Sequence, residues 1–418
     1  MDPEHDDAPS APAPGDPAPG DPAPDDFTPA DPAPRHAFAL RLDDELALRL
    51  SERHHAAELY ARIDAEREHL ARAFGWARNA TPASIEARLR AALEQFRRGD
   101  GWHADLCWRG QPVGAMWLHF LQGAGGSTEV GYWLGAEVLG KGLVTRAMRG
   151  LQRHFFLGHG LGRVAIGVDP RNAESAAVPR RLGYQDEAVL RHAYRGPDGE
   201  PAHLALAGLL REAWEAGPDG GPDAPRLPLP RFALYVEHDL ALGLLERADA
   251  EALHALVVTN RPRLARWMPW AYAPTLASTR QFIEQRALPA IAAADGFECG
   301  VWWRGRLVGA AGVHEVYRDA LRGSLGYWLA ADAEGQGLVT RAMRAIIDKA
   351  FEDHGYERID LRADVANTRS RAVAERLGLH FEGVLRREFW NGRNYVDLAV
   401  YSLLRGEWQG WRAGTPVT

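Results

Sequence analysis

The sequence has 418 residues, of which 46% are hydrophobic and 25% charged, so it is long enough for more than one domain with a sizeable core. Its net charge is −7, but the first 34 residues hold nine acidic residues and neither Lys nor Arg, which leaves about +2 for the remainder. This balance gives no electrostatic case for nucleic-acid binding, and no run of 18 apolar residues is present to span a membrane.

The first predicted element is a tail, residues 1–35, composed almost wholly of Asp, Pro, Ala and Gly. It has too little apolar surface to offset the entropy of ordering, so we predict a disordered acidic tail. It begins with acidic residues instead of a basic and then apolar stretch, which argues against a secretory signal. Cys107 and Cys299, the two cysteines, are expected to be buried thiols in a reducing cytoplasm.

The rest of the chain is a twofold internal repeat. The segment GYWLAADAEGQGLVTRAMR at residues 326–344 matches GYWLGAEVLGKGLVTRAMR at residues 131–149 in 14 of 19 positions. The same offset of 195 aligns further residues on both sides, and repetition on this scale indicates two whole domains. We place these domains at residues 36–216 and 231–411, joined by a linker rich in Pro and Gly at 217–230.

Both copies predict the same order of elements. In the second copy these are a strand at 232–236, helices at 249–258 and 278–294, strands at 297–303, 306–314 and 324–329, a helix from 338, a strand at 358–364, a helix at 367–377, and a hairpin around 391–392. This order indicates an α/β fold with a mixed sheet: an antiparallel meander, one β-loop-α-β crossover and a final hairpin.

The loop AEGQGLVT, residues 333–340, joins a predicted strand to the start of a helix. Unpaired backbone N–H groups and the helix dipole attract anions there, and the two glycines allow a phosphate to approach closely. The alternative is a plain strand-to-helix turn, but the repetition of the loop favours anion binding. A P-loop needs Ser or Thr after Gly-Lys, and a dinucleotide-binding loop needs a third Gly within a parallel unit, so both fit badly.

Both copies resemble the GNAT superfamily of acyl-CoA-dependent N-acyltransferases, and most closely the RimJ/RimL-like branch that acetylates the N-termini of ribosomal proteins. The resemblance rests on GYWL with EGQGLVTRAMR, then NTRSRAVAERLG, then FEGVLRREFWNGRNYVDLAVYSLLR, and it covers nearly all of residues 36–215 and 231–410. It implies two tandem GNAT folds that use acetyl-CoA as cosubstrate and an amine as acceptor, without a metal.

The resemblance also implies the residues that bind the cofactor. The loop would hold the CoA pyrophosphate through backbone amides, and the strand end at Trp328–Leu329 would present an N–H to the acetyl carbonyl. One departure is Glu334, with Leu139 in the first copy, because a carboxylate beside a pyrophosphate would weaken affinity. The implied cofactor-binding residues are Trp328, Leu329, Gly335, Gln336, Gly337, Leu338, Val339, Thr340, Arg341 and Asn367, with Leu134, Gly140, Lys141, Gly142, Leu143, Val144, Thr145, Asn172 and Ser175 in the first copy.

Acetyl transfer to an amine requires a neutral amine, a stabilised oxyanion and a proton for the leaving thiolate. An α-amine with a pKa of about 7.8 is easier to deprotonate than a Lys side chain near 10.4, by about 3.5 kcal/mol. An α-amine acceptor therefore needs only a weak base.

Three side chains of the second copy are the catalytic candidates. By resemblance, Ser370 protonates the CoA thiolate, although Asn367 and Ser370 also fit an ordinary helix N-cap and first turn. By family analogy Glu388 is an acceptor-side base, and its alternative is a solvated carboxylate on a strand. His314 ends an inner strand and is either a base or a structural residue.

The first copy keeps the loop but loses features on the acceptor side. Ala193 stands opposite Glu388. Pro179 stands opposite Ala374, and an interior Pro is expected to kink or shorten the helix after Asn172. We therefore expect the C-terminal copy to be the main catalyst.

The leading functional hypothesis is an N-acetyltransferase in the cytoplasm whose acceptor is the α-amine of a protein or peptide, a ribosomal protein being the expected partner. The alternatives are acetylation of a small-molecule amine such as an antibiotic, and a non-catalytic acyl-CoA sensor or scaffold. No membrane or direct nucleic-acid partner is expected, and the sequence leaves the oligomeric state open.

Overall fold

The computed structural model describes residues 34, 36–119, 121, 125–220 and 231–412. Apart from Pro34, the predicted acidic tail lies outside the described residues, and so do residues 221–230 of the predicted linker. Among the described residues, no helix is long and apolar enough to span a bilayer. We refer to residues 36–220 as the N-terminal half and to residues 231–412 as the C-terminal half.

The N-terminal half contains eight strands and seven α-helices among its described residues. Its strands are β1 (Ala39–Arg41), β2 (Leu46–Leu50), β3 (His103–Trp108), β4 (Gln111–His119), β5 (Ser127–Leu134), β6 (Arg163–Val168), β7 (Gln185–Arg195) and β8 (Pro201–Leu210). Its helices are α1 (Ala56–Ala65), α2 (Arg67–Leu70), α3 (Gly75–Arg78), α4 (Pro82–Arg98), α5 (Leu143–Arg153), α6 (Ala173–Arg181) and α7 (Arg211–Glu215).

The C-terminal half repeats this order. Its strands are β9 (Ala233–Glu237), β10 (Leu240–Leu244), β11 (Phe297–Trp303), β12 (Arg306–Tyr317), β13 (Arg322–Leu329), β14 (Arg358–Asp364), β15 (His380–Trp390) and β16 (Tyr395–Leu404). Its helices are α8 (Ala250–Leu264), α9 (Leu276–Phe282), α10 (Leu288–Ala293), α11 (Leu338–Glu352), α12 (Thr368–Arg376) and α13 (Arg405–Arg412). A π-helical turn at Ile283–Ala287 joins α9 to α10, so the helix predicted at 278–294 is confirmed.

The sheet has the mixed topology predicted from the order of the elements. Strands β9 to β13 form an antiparallel meander, and α11 then crosses over so that β14 lies parallel to β13. The final strand β16 lies between β14 and β15, antiparallel to both. The N-terminal half follows the same plan.

The parallel strands β13 and β14 separate part of the way along their length. They pair only from Arg322 to Ser324 on β13, although β13 continues to Leu329 and β14 continues to Asp364. Beyond the last pair, β14 keeps its hydrogen bonds to β16 alone. The separation opens a cleft between the two strands, and the equivalent strands β5 and β6 also pair over only four residues.

The two halves share one sheet, which the sequence did not predict. Ala39 of β1 pairs with Ala233 of β9 in antiparallel fashion, and this pair links the two sheets into sixteen strands among the described residues. Aromatic side chains continue the core across the junction: the Phe38 and Phe297 rings are 5.4 Å apart, and the Phe232 and Trp102 rings are 5.5 Å apart. The halves therefore have a common hydrophobic core.

A buried ion pair also crosses between the halves. The side chain of Lys349, on α11, is fully buried, and its ammonium donates to Glu52 Oε1 at 2.7 Å and to the His36 carbonyl at 3.1 Å. Asp353 accepts a third hydrogen bond at 3.0 Å. Burial alone would lower the pKa of Lys349, but the Glu52 and Asp353 carboxylates outweigh this effect and raise it.

Pro179 does not shorten its helix, so this part of the prediction is wrong. Helix α6 contains nine residues, as does α12, which has Ala374 at the equivalent position. Pro179 lacks the N–H that would bond the Ser175 carbonyl one turn earlier. The Tyr132 hydroxyl donates to that carbonyl instead, at 3.2 Å, and this contact replaces the missing bond.

Candidate active site

A cleft of about 1520 Å³ lies where β13 and β14 separate. One wall is the end of β13, the second is the start of α12, and the glycine loop before α11 lies at one end. Strand β15 contributes Glu388 and Phe389 to the opposite end. Of the predicted site residues, the cleft brings together Trp328, Leu329, Gly335, Gly337, Leu338, Val339, Thr340, Asn367, Ser370, Glu388 and His314.

The glycine loop has a backbone that only glycine adopts easily. Gly335 and Gly337 have φ angles of +77° and +69°, in the left-handed region, and Gly337 is the N-cap of α11. A Cβ added at either glycine would have no neighbour within 4 Å, so the backbone conformation is what selects glycine here. Gly140 and Gly142 repeat this geometry, with φ angles of +73° and +71°.

Two residues of the predicted loop do not line the cleft. The Arg341 guanidinium forms an ion pair with Glu237 on β9 and also donates to the Gln336 carbonyl at 3.3 Å. Arg341 therefore faces the neighbouring strand, and neither Arg341 nor Gln336 is among the residues that line the cleft. If they contribute to binding, they do so through the backbone, which is how the pyrophosphate was expected to be held.

Glu334, the departure noted in the sequence, is held by two arginines. It forms ion pairs with Arg263 of α8 and with Arg369 of α12, the second at 2.6 Å. Arg263 also donates to the Leu329 carbonyl at the end of β13. These guanidiniums offset the carboxylate charge, and both line the cleft. Neither arginine was identified from the sequence, because their contacts with Glu334 span 71 and 35 residues.

Ser370 lies in the first turn of α12, beside the N-cap, and it also lines the cleft. Its backbone N–H donates to Asn367 Oδ1 at 3.2 Å, so Asn367 is the N-cap of α12. Its hydroxyl lies 2.8 Å from the Tyr327 hydroxyl on β13, within hydrogen-bond distance. Burial raises the pKa of Tyr327 to about 12, so the phenol is neutral at physiological pH. Tyr327 is the second residue of the GYWL motif, and sequence reasoning assigned it no role.

The two remaining catalytic candidates also line the cleft. Glu388 is exposed on β15. His314 lies near the end of β12 with its imidazole over Gly326, where an added Cβ would be 2.2 Å from the ring. Burial lowers the pKa of His314, so the imidazole is uncharged at neutral pH.

The N-terminal half has the same arrangement on the cofactor side. Asn172 Oδ1 accepts from the Ser175 N–H at 3.0 Å, and the Ser175 and Tyr132 hydroxyls are 3.0 Å apart. The loop residue Lys141 packs over the Trp108 ring. The remaining predicted residues, Leu134, Gly140, Gly142, Leu143, Val144 and Thr145, occupy the end of β5, the loop and the first turn of α5.

The halves differ at the strand position next to Gly326 and Gly131. Trp117 of β4 stands where the C-terminal half has Gly312, and its indole occupies the space over Gly131. The indole stacks on His103 with ring centroids 6.1 Å apart. The N-terminal half therefore fills with a tryptophan the space that His314 occupies in the C-terminal half.

The expectation that no metal is bound stays a prediction. Among the described residues, Glu52, His54 and His55 bring potential ligand atoms within 4.8 Å of one another, at the contact between the halves. The Lys349 ammonium already balances the Glu52 carboxylate there.

Comparison with known proteins finds one family in both halves. A family model described as an acetyltransferase (GNAT) domain matches residues 45–185 and 239–380. The putative ribosomal N-acetyltransferase YdaF of Bacillus subtilis (strain 168) is 36% identical over 180 residues, which are 43% of this chain and 98% of that protein. The ribosomal-protein-serine acetyltransferase of Escherichia coli (strain K12) is 23% identical over 171 residues, 40% of this chain and 94% of that protein.

The chain is also similar to a solved structure of RimL, the ribosomal L7/L12 alpha-N-protein acetyltransferase, in complex with coenzyme A. It is 22% identical with a TM-score of 0.40, over 41% of this chain and 97% of that chain.

Proposed function

Because the chain belongs to the GNAT acetyltransferase family, with one such domain in each half, we propose that it transfers an acetyl group from acetyl-CoA to the N-terminal α-amine of a protein. The observation that carries this proposal is the cleft of the C-terminal half, where the left-handed glycine loop, the Ser370–Tyr327 pair and Glu388 meet. The names of the relatives from B. subtilis and E. coli support a ribosomal protein as the acceptor. The proposed domains keep the limits 36–216 and 231–411.

The residues fit a pyrophosphate at the loop and a thioester at the strand ends. The backbone N–H groups at the N-terminus of α11 would bind the phosphates, since both loop glycines leave the approach open. Acetyl-CoA supplies the activated acetyl group as a thioester. A free N–H at the end of β13 would stabilise the oxyanion, and the Ser370 hydroxyl, backed by Tyr327, would give a proton to the leaving sulfur.

We further propose that the C-terminal domain is the main catalyst. Its acceptor end has Glu388 and Gly312, where the N-terminal domain has Ala193 and Trp117. Ser370→Ala should lower kcat by about 100-fold or more, as expected for loss of a general acid. Ser175→Ala, the matched control in the N-terminal domain, should leave kcat within about twofold, in the range of variants that touch no reacting group.

The test is thiol release from acetyl-CoA with a panel of N-terminal peptides and small amines. Preferred turnover of small amines would contradict a protein acceptor, and no turnover with any amine would favour an acyl-CoA sensor. A large loss in Ser175→Ala together with full activity in Ser370→Ala would assign catalysis to the other domain. Calorimetric titration with acetyl-CoA adds the stoichiometry: two sites per chain would mean that both loops bind, and one site would mean that one loop has lost its function.

A further inference from the structure

A second carboxylate, which the sequence did not identify as catalytic, lies next to the His314 imidazole. Glu298, on β11, has a side chain that is only 11% exposed, and its Oε1 is 3.7 Å from His314 Nδ1. This distance is longer than a direct hydrogen bond but within the range of an ion pair. Among the described residues, no hydrogen-bond donor to the Glu298 carboxylate is found, and the His314 imidazole is the group found within ion-pair distance of it.

Two glycines make room for this pair. Glu298, Gly312 and Gly326 lie side by side on three neighbouring strands and therefore on one face of the sheet. A Cβ at Gly312 would be 2.6 Å from Glu298 Oε2, and a Cβ at Gly326 would be 2.2 Å from the His314 ring. The sheet thus provides one recess for the carboxylate and one for the imidazole.

The N-terminal half shows what happens without these features. Its positions equivalent to Glu298 and Gly312 are His103 and Trp117, and the stacked rings fill the recess. His103 Nδ1 is instead 2.9 Å from the Ser51 hydroxyl. A carboxylate near the equivalent His119 is Glu129, its pairing partner on β5, so among these two positions a carboxylate on the strand before the histidine strand is found only in the C-terminal half.

His314 also separates two cavities. One is the main cleft, and the other is a pocket of about 310 Å³ that Glu298, Arg286 and Asp295 line together with His314. Asp295 is bound to Arg318, and Glu315 accepts from the Ser324 hydroxyl at 3.4 Å. The His314–Glu298 pair therefore connects the acceptor end of the cleft with a separate opening.

The stoichiometry of acetyl transfer gives such a connection a use. An ammonium acceptor loses two protons on becoming an amide: one ends on the leaving thiolate, and the other must reach solvent. The nitrogen lone pair forms the N–C bond while the C–S bond breaks, so the proton that reaches solvent has to leave the ammonium before the attack, and the proton that ends on the thiolate leaves after it. Cosubstrate and acceptor would fill the main cleft, so a proton path behind the acceptor is useful.

We propose that Glu298 and His314 form a proton relay, which rests on the proposed function and names its base. When the substrates are bound, the 3.7 Å gap between His314 Nδ1 and Glu298 closes to a hydrogen bond. His314 then accepts the ammonium proton at Nε2, while its Nδ1 proton passes to the Glu298 carboxylate and from there to the small pocket. Glu298 acts through His314 and is therefore a positioning residue.

The ionisation of both groups suits this direction of transfer. Burial raises the pKa of Glu298 to about 7, although the Arg286 charge opposes this effect. Burial lowers the pKa of His314, with Glu315 acting to raise it and Arg286 acting to lower it. Below about pH 7 Glu298 is protonated and cannot take the Nδ1 proton, so kcat should fall as the pH decreases through this value.

The test compares Glu298→Gln and His314→Gln in the full chain, with acetyl-CoA and the best peptide of the panel. We expect each variant to lower kcat on the order of 10- to 100-fold, to leave the KM for acetyl-CoA within about twofold, and to change the acid limb of the pH profile. The double variant should be no slower than the slower single variant, because the two groups act in series. Asp295→Asn, in the same pocket, and His119→Gln, in the other half, are the controls and should keep the wild-type profile.

A second measurement follows the His314 ring by NMR as a function of pH. In the wild type the ring signals should show a step near pH 7, where Glu298 ionises, above the titration of the imidazole itself, and Glu298→Gln should remove that step. The same titration curve in both proteins, or a loss of kcat without a change in the pH profile, would overturn the relay and leave Glu298 a structural role. Absence of turnover in the wild type would refute the proposed function together with the relay, whereas the NMR titration would still report whether the two groups are coupled.

Discussion

At the scale of single residues, Glu334 is the residue with the clearest expected effect on cofactor affinity. Glu334→Gln removes a negative charge beside the loop and releases Arg263 and Arg369. A unit charge 4 Å away in water is worth about 1 kcal/mol, so acetyl-CoA should bind about fivefold more tightly. Calorimetric titration at low salt measures this change.

The salt dependence separates the two roles of Glu334. The gain in affinity should shrink toward 1 M salt, where the screening length is about 3 Å. The N-terminal half has Leu139 at this position, so its affinity should not change. Weaker binding in the variant would instead show that the carboxylate holds the two arginines in place for the phosphates.

The sequence located some of these residues and missed others for a physical reason. The sequence marks the loop glycines, the Asn N-cap and the Ser three residues after it, because the backbone geometry or the partner of each lies within one helical turn. Tyr327 contacts Ser370 on α12, 43 residues away, and Glu298 contacts His314 on the neighbouring strand. Nothing in the immediate neighbourhood of either residue distinguishes it from an ordinary strand residue. The catalytic roles of Ser370, Glu388 and His314 stay predictions.

At the scale of elements, α6 depends on Tyr132 for its regular length. In Tyr132→Phe, the Ser175 carbonyl loses its donor while Pro179 cannot replace it, which should cost about 1–3 kcal/mol of the free energy of unfolding. In the Pro179→Ala background, the new N–H takes over, so the same change should cost about 1 kcal/mol less. Urea denaturation of the four proteins of this cycle measures the coupling.

The C-terminal half provides the matched control for this cycle. Tyr327 makes the same contact with the Ser370 carbonyl, at 3.3 Å, but α12 has Ala374 and its N–H. Tyr327→Phe should therefore cost less than Tyr132→Phe. Additive effects of Tyr132→Phe and Pro179→Ala would contradict the proposed replacement of one hydrogen bond by the other.

The elements themselves were largely predictable. The strands at 297–303 and 358–364 have the bounds expected from their patterns, because alternation and flanking turns mark them clearly. Strand β10 was missed: its five residues are all buried, so LALGL shows no alternation between apolar and polar residues.

At the scale of the whole molecule, the joining of the two sheets could not be read from the sequence. The contact between β1 and β9 rests on one pair of alanines 194 positions apart, and the Lys349–Glu52 pair spans 297 positions. Periodicity reports on which residues are buried but not on which partner buries them. The repeat predicted two domains, and only the structure shows that they share a core.

This shared core makes Lys349 a test of how the halves depend on each other. Lys349→Met leaves Glu52 as a buried charge without its partner, which should cost about 3–5 kcal/mol. The pKa of Lys349 is raised above its unfolded value of 10.5, so its contribution to the free energy of unfolding is complete below that value. This contribution is lost only as the pH rises through the higher folded value, so the destabilisation by Lys349→Met applies in full at pH 7.

The double variant Lys349→Met/Glu52→Gln should recover more than half of the lost stability, since no charge is then left unpaired. Because the pair and the core cross between the halves, scanning calorimetry of the Lys349→Met variant should show one unfolding transition that moves as a whole to lower temperature. Two separate transitions, with only one of them shifted, would mean that the halves unfold independently despite their common sheet.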